Sequence, residues 1–334
     1  MPRTAAIIIA CLAALVSSRA AVLPHPETHV YKRVGDLEIK ADVYRVTGRD
    51  GPHPVMIYMH GGSLINGRRE SVDEWTPGHA LHAAGVVIVS IDYRLAPESK
   101  LPALIEDVED AFRWVREKGP ALFAADPARV GSSGGSAGGY LALVTGHRVE
   151  PAPVVILAEM SYCDLLGEWQ MRPSIHPPHY EDSNLNEEEA WKQVSGSPIA
   201  NVRDRTGDGS AFNDFIRRNA RWPKTVTGWD PSTEAEKYTP YLPLRNVTEN
   251  FPPTVMVHGE VDTDVPFTQP QAMAAELARH DVPHLLIGIP NGEHGYRGAD
   301  KADIEAARLK AAAFARKHLL AEPPTESRQS SSSP

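Results

Sequence analysis

The sequence predicts an α/β fold: a mostly parallel central sheet flanked by helices, with a helical cap inserted late in the chain. Three observations predict it. From about Leu37 short β-branched runs alternate with helical stretches, the pattern of a parallel sheet covered by helices. The middle runs are nearly continuous in apolar residues, as strands buried on both faces require. One segment, residues 161–250, breaks the alternation and is far longer than an ordinary connection.

Taken in order, the strand candidates are "LEIKADVY" from Leu37, "VMIYMH" from Val55, "VVIVSIDY" from Val86, "RVGSS" from Arg129, "VVILAEM" from Val154, "TVMVHG" from Thr254 and "HLLIGI" from His284. Between the third and fourth, "LPALIEDVEDAFRWVREKG" places Leu104, Val108, Ala111 and Val115 on one helix face, and Gly119-Pro120 is expected to end it. Residues 161–250 carry Trp169, Trp191, Phe212, Phe215, Trp222 and Trp229, with helical patterns at Glu187–Val194 and Ala211–Arg221. Linkers lack such aromatics, so this segment reads as a cap whose tryptophans pack it or line a pocket. A last helix is expected from about Ile304 to Leu319. The expected division is a leader at 1–20, a catalytic domain from 21–160 and 251–320, the cap at 161–250 and a disordered Pro/Ser-rich tail at 321–334.

Bulk properties narrow the function. The chain has 334 residues, 42% of them apolar, enough for a sizeable core. A net charge of −9 without a basic stripe argues against a nucleic-acid partner. The pairs Arg68-Arg69 and Arg217-Arg218 are expected on solvated helix faces. At the N-terminus, Arg3, an apolar run from Ala5 to Val16, and small residues at Ser18 and Ala20 fit a secretory signal peptide. The run is short for a bilayer span, so secretion or periplasmic export without a stable anchor is expected. Removing the leader takes Cys11 and leaves Cys163 alone, with no intrachain disulfide and no cysteine-based zinc site.

The chemistry starts at "GSSGGSAGG", residues 131–139. The stretch lies inside the core pattern, so it is not a linker, and no Lys follows to make a phosphate loop. Gly134-Gly135-Ser136-Ala137-Gly138 is G-x-S-x-G at a strand-to-helix junction, where a strained turn exposes a nucleophilic serine and small neighbours permit close packing. "MHGG" (Met59–Gly62) follows an earlier strand, so N–H groups of Gly61 and Gly62, with that of Ala137, suit an oxyanion hole. "HGEVDTDVP" sets Asp262 and Asp264 beyond a strand end, and "GEHGY" sets His294 after the last strand. The order Ser136, Asp262, His294 is that of an acyl-transfer triad in this architecture. Asp262, which leads D-x-x-V-P, is preferred to Asp264 as the acid.

With "DYRLAPE" (Asp92–Glu98), these motifs resemble the α/β-hydrolase superfamily and, within it, the hormone-sensitive-lipase-like carboxylesterases. The resemblance spans roughly residues 31–320. It implies carboxylic ester hydrolysis through an acyl-enzyme, a small-molecule ester substrate, and no metal or organic cofactor. "DYRLAPE" would brace the loops around the site. Two departures stand out: Ser63 replaces the usual third glycine after "HG", and only a short segment precedes the first strand, so any lid comes mainly from the cap.

Other candidates are weaker. His176 and His179 in "HPPH" lack further ligands at metal spacing and read as loop histidines. "DRTGDG" from Asp204 has Phe215 where a calcium loop needs glutamate. Glu187-Glu188-Glu189 suits a helix N-terminus. Asn246-Val247-Thr248 is a glycosylation acceptor only in a glycosylating host. The sequence therefore points to a serine esterase for short-acyl or small aromatic esters. The alternatives are a prolyl-oligopeptidase-type peptidase, which would need a large accessory domain, and a non-catalytic relative, which would typically lack a triad member.

Overall fold

The structure, a computed structural model, describes residues 22–181 and 185–321. The expected leader and nearly all of the expected tail lie outside the described residues. Eight strands form one sheet in the order β1-β2-β4-β3-β5-β6-β7-β8. β1 (Glu27–Val34) and β2 (Leu37–Tyr44) are an antiparallel hairpin, turning at Gly35 with φ +57°. β3 (His53–Met59), β4 (Val87–Ile91), β5 (Ala125–Gly135), β6 (Ile156–Glu159), β7 (Thr254–Gly259) and β8 (His284–Ile289) run parallel.

Strand periodicity splits the core in two. On β3, Val55, Ile57 and Met59 point to one face, and Met56 and Tyr58 to the other. The first face is covered by α2 (Leu101–Phe123), α3 (Ala137–Arg148) and α8 (Thr268–Arg279), through residues such as Phe112, Leu141 and Met273. The second is covered by α1 (Thr76–Ala83) and α9 (Lys301–Leu319), through Leu81, Ala311 and Ala315. Small residues on α9 let it lie close to the sheet.

The excursion between β6 and β7 carries, among the described residues, α4 (Glu168–Met171), α5 (Glu187–Lys192), α6 (Gly209–Arg218) and α7 (Trp222–Thr227). Asn186 and Glu189 form a capping box that starts α5, and Asp208 caps α6.

Three local expectations are corrected. β1 forms from residues expected to precede the first strand. Its pattern is polar on the outside, but Tyr31 reaches inward to donate to the Asp92 carbonyl (2.7 Å). Second, Pro120 does not end α2. The helix runs on to Phe123 because Phe123 is buried and Gly119 is bare where the last turn meets β5; a Cβ on Gly119 would stand 2.9 Å from that of Ala125. Ala124, left-handed at φ 53°, closes it instead. Third, Arg69 and Arg217 are not on solvated faces. Arg69 is half-buried and paired with Asp42 (2.9 Å) and Asp92 (2.6 Å), and the buried Arg217 reaches Asp264 (3.0 Å).

Candidate active site

The turn after β5 is where the glycines act. Ser136 has φ 53° and ψ −119°, a conformation few non-glycine residues hold, and it starts α3. The turn is possible because its neighbours lack side chains: a Cβ on Gly138 would stand 2.0 Å from the Met59 carbonyl oxygen, and one on Gly134 would stand 2.4 Å from the Gly138 carbonyl. The Ser136 N–H is tied to the Glu159 carbonyl (2.8 Å), which fixes the elbow to β6.

His294 lies in the turn after β8, where Tyr296 has φ 64°. Its Nδ1 is 2.8 Å from Asp262 Oδ2 and its Nε2 is 3.2 Å from Ser136 Oγ. Asp262 is buried, and its other oxygen accepts the N–H groups of Asp264 (2.9 Å) and Val265 (2.8 Å). Burial alone would raise its carboxyl, but hydrogen bonds from His258 and His294 outweigh that and hold it at about 2. Burial opposes charge on His294, yet the Asp262 bond and the charges of Asp264, Asp262 and Glu293 raise it above the ordinary histidine value. The arrangement keeps a carboxylate on Nδ1 and leaves Nε2 facing the hydroxyl, the orientation a general base needs.

Across from Ser136, the loop after β3 folds back through Gly62 at φ +109°, with Ile65 and Asn66 both donating to the Gly62 carbonyl (2.9 and 2.8 Å). Gly61 packs onto the elbow; a Cβ there would be 3.4 Å from Ser136 Cβ. Among the described residues, nothing accepts from the backbone N–H of Gly61, Gly62 or Ala137. Ser63 and Leu64 follow in left-handed conformations (φ 58° and 62°). The cap holds this loop from above: Trp222 Nε1 donates to the Ser63 carbonyl (3.1 Å), and Arg205 donates to the Ile65 carbonyl (2.6 Å).

"DYRLAPE" is buried rather than surface charge. Asp92 binds Arg69 and the cap's Asn201 (3.2 Å), and burial raises its carboxyl to about 6. Arg94 clamps Asp107 on α2 through two bonds (2.8 and 2.7 Å). Glu98 pairs with the buried Arg205 (2.8 Å).

The histidines of "HPPH" lie in and beside a short turn, Pro177–Tyr180, of the cap. Both are buried, and both reach the loop that carries Asp262. His176 Nδ1 donates to Thr263 Oγ (2.8 Å), while Thr263 donates its O–H to Glu293, beside His294. His179 sits between Asp214 (2.8 Å) and Asp264 (3.1 Å). Sequence spacing could not reveal these contacts, because the partners lie 35 to 87 residues away. The only signal was that two histidines and a second aspartate occur in an otherwise accounted-for site. Glu159 was also missed: at the end of β6 it accepts from Trp75 (2.8 Å), Tyr296 (3.0 Å) and Arg308 (3.0 Å), and so anchors the His294 turn.

The sequence model of the BD-FAE family matches residues 41–277. The chain belongs to the BD-FAE family. It has an α/β-hydrolase fold, and the family match covers the Ser136 elbow, the loop after β3 and the Asp262 turn. It is 34% identical to esterase LipI of Mycobacterium tuberculosis over 48% of this chain and 52% of that protein. The chain thus spans about half the length of LipI. It is 26% identical to the versiconal hemiacetal acetate esterase of Dothistroma septosporum over 77% of this chain and 74% of that one. In fold, this BD-FAE member is similar to Thermogutta terrifontis esterase 2 phosphorylated by paraoxon: TM-score 0.60, 19% identity, 89% of this chain and 94% of that chain covered. Among the described residues no helix is long and apolar enough to cross a membrane, and no group of three or more His, Cys, Asp or Glu is arranged to hold a metal ion.

Proposed function

We propose that this BD-FAE protein is a serine carboxylesterase acting on short-acyl or small aromatic esters. Ser136 is the nucleophile, His294 the general base and then acid, and Asp262 the residue that orients His294. Nε2 of His294 takes the Ser136 proton as Oγ attacks the ester carbonyl. The oxyanion that forms is met by the N–H groups of Gly61, Gly62 and Ala137. The imidazolium returns its proton to the departing alkoxide, leaving an acyl-Ser136. Water, deprotonated by His294, then attacks that acyl group and releases the acid. The observation that carries this reading is the unbroken chain Asp262 Oδ2–His294 Nδ1 (2.8 Å), His294 Nε2–Ser136 Oγ (3.2 Å), ending at a serine in a strained turn.

Tyr140, one turn along α3 from Ser136, stacks on Tyr162 (4.9 Å), which packs against Trp169 and Trp222. These rings are core packing that seats the cap on α3. The relative named for an acetate ester supports the short-acyl class. Secretion or periplasmic export by the N-terminal leader completes the proposal; it rests on the leader's composition.

A p-nitrophenyl series from acetate to palmitate, run beside an aminoacyl-proline anilide, tests it. Turnover peaking at short chains is expected. Preference for the anilide would make the protein a peptidase, and failure of a serine-directed phosphonate to label Ser136 would refute the triad.

A further inference from the structure

Two carboxylates face His294, and the proposed mechanism uses one. Asp262 holds Nδ1 from below. On the opposite side, Asp264 Oδ2 lies 3.9 Å from Nε2, the nitrogen that faces Ser136. Asp264 is not free to close that gap. Its Oδ1 accepts from His179 Nε2 (3.1 Å) and from Arg217 Nη2 (3.0 Å). Arg217 is itself fixed, since Gln170 accepts from its Nη1 and its guanidinium lies over the Trp169 ring (5.1 Å).

His179 places a requirement on the cluster. Both of its ring nitrogens face carboxylates, Asp214 from Nδ1 and Asp264 from Nε2, so it donates to both only as an imidazolium. The charges therefore alternate from Asp214 through His179 to Asp264, with Arg217 beside it and His294 beyond. This cluster joins the cap, which supplies His179, Asp214 and Arg217, to the turn that supplies Asp262 and Asp264.

We propose that Asp264 is a positioning residue for His294: a second carboxylate that stabilises the imidazolium from the Nε2 side, held back by His179 and Arg217 so that Ser136 keeps the Nε2 hydrogen bond. The inference rests on the triad reading above. Asp264 also lines, with Trp169, Arg217, Thr263 and Pro266, a cavity of about 250 Å³, so its outer edge reaches open space rather than the packed core. A carboxylate at that distance would capture Nε2–H if released, and the serine would lose its base. The cap histidine thus sets how far the second carboxylate stands from the reacting nitrogen.

Other charged groups around His294 do not duplicate this role. Glu293 lies on the same turn and accepts the His294 backbone N–H. His176 approaches edge-on, with ring centroids 6.3 Å apart, donates from Nδ1 to Thr263 and accepts at Nε2 from Arg297 (3.3 Å), the pattern of a neutral ring. His258 stands behind Asp262 (3.3 Å) on the Nδ1 side. Only Asp264 offers a carboxylate to Nε2 among the described residues.

The test is the pH dependence of kcat and KM for p-nitrophenyl acetate in the full chain and in Asp264→Asn, His179→Gln and the double variant. Asp264→Asn should move the acid limb of kcat/KM down by about 1–3 pH units, because an opposite charge near Nε2 is lost. His179→Gln should move that limb up and lower kcat at neutral pH by about tenfold, with KM little changed, as Asp264 closes on Nε2. Adding Asp264→Asn to His179→Gln should restore kcat. An acid limb unmoved by Asp264→Asn, or a double variant as slow as His179→Gln, overturns the proposal. Should Asp264→Asn fail to fold, His179→Gln decides alone: an upward limb supports the proposal and an unmoved one overturns it. Phosphonate labelling of Ser136 in the unaltered chain separates the two levels. Labelling with unmoved limbs overturns only the role of Asp264, whereas no labelling overturns the triad beneath it.

Discussion

Asp262→Asn tests the role proposed for Asp262 as the acid that orients His294. Asparagine has nearly the shape of aspartate, so Oδ1 can go on accepting the N–H groups of Asp264 and Val265. The change falls on the other atom. Where Oδ2 now faces His294 Nδ1 at 2.8 Å and His258 Nε2 at 3.3 Å, an NH₂ group would present hydrogens to both. His294 can meet that donor only by turning Nδ1 into an acceptor, which puts its proton on Nε2. In that tautomer it cannot take the Ser136 proton. Holding the wrong tautomer costs a triad enzyme about 10⁴ in kcat, or about 5.4 kcal/mol of transition-state stabilisation at 1.36 kcal/mol per decade. The assay is kcat/KM for p-nitrophenyl acetate from pH 6 to 10, with thermal melts to show that the fold persists. A loss below tenfold in a folded variant would show that Asp262 does not set the His294 tautomer. If Asp264→Asn cost about 10⁴ instead, the two aspartates would exchange roles.

Further expectations concern the elbow, the loop and pH. Gly138→Ala forces a methyl to within 2.0 Å of a backbone oxygen, so it should destabilise by roughly 3 kcal/mol or more, read by denaturant titration; a melt like the parent's would mean the elbow is looser than described. Trp222→Phe removes the donor to the Ser63 carbonyl (3.1 Å); an orphaned carbonyl costs about 1–3 kcal/mol, and the slackened loop after β3, proposed to meet the oxyanion, should lower kcat by about tenfold with KM little affected. The raised His294 means its base form appears only above the ordinary value of about 6.5, so kcat/KM should fall on acidification with a midpoint above that; a midpoint near 5 would contradict the charge arrangement. Asp262 and Asp264 are both depressed below the ordinary aspartate value. The Asp262 contribution to stability is therefore present above about pH 4 and is lost as pH falls through about 2, while that of Asp264, held lower still, persists to more acid pH; thermal melts across that range would register the first loss.

What could be read from sequence divides along a physical line. The parallel strands were legible because burial on both faces forces continuous apolar runs, and the elbow because a strained serine leaves a dense signature of small residues. The loops after β3, β7 and β8 followed, since strand order places their ends together. What stayed hidden depends on contacts between distant segments. Nothing near Arg217 announces that it crosses the cap to Asp264, and nothing near "HPPH" shows that both rings are buried against the Asp262 turn. Charge patterning sent Arg69 and Arg217 to the surface because it ignores partners such as Asp42 and Asp92. Pro120 misled for a related reason: local propensity favours a stop, but burial of Phe123 carries the helix through. The hairpin strand β1 was missed because its pattern is mostly polar, as befits an edge.

The most direct test of the account is hydrolysis of p-nitrophenyl acetate by the full chain and by Ser136→Ala, with thermal melts of both. Ser136→Ala should lose about 10⁴–10⁶ in kcat, as when a triad nucleophile is removed, with the melting transition unchanged. A folded Ser136→Ala protein that kept more than a tenth of the parent rate would contradict it.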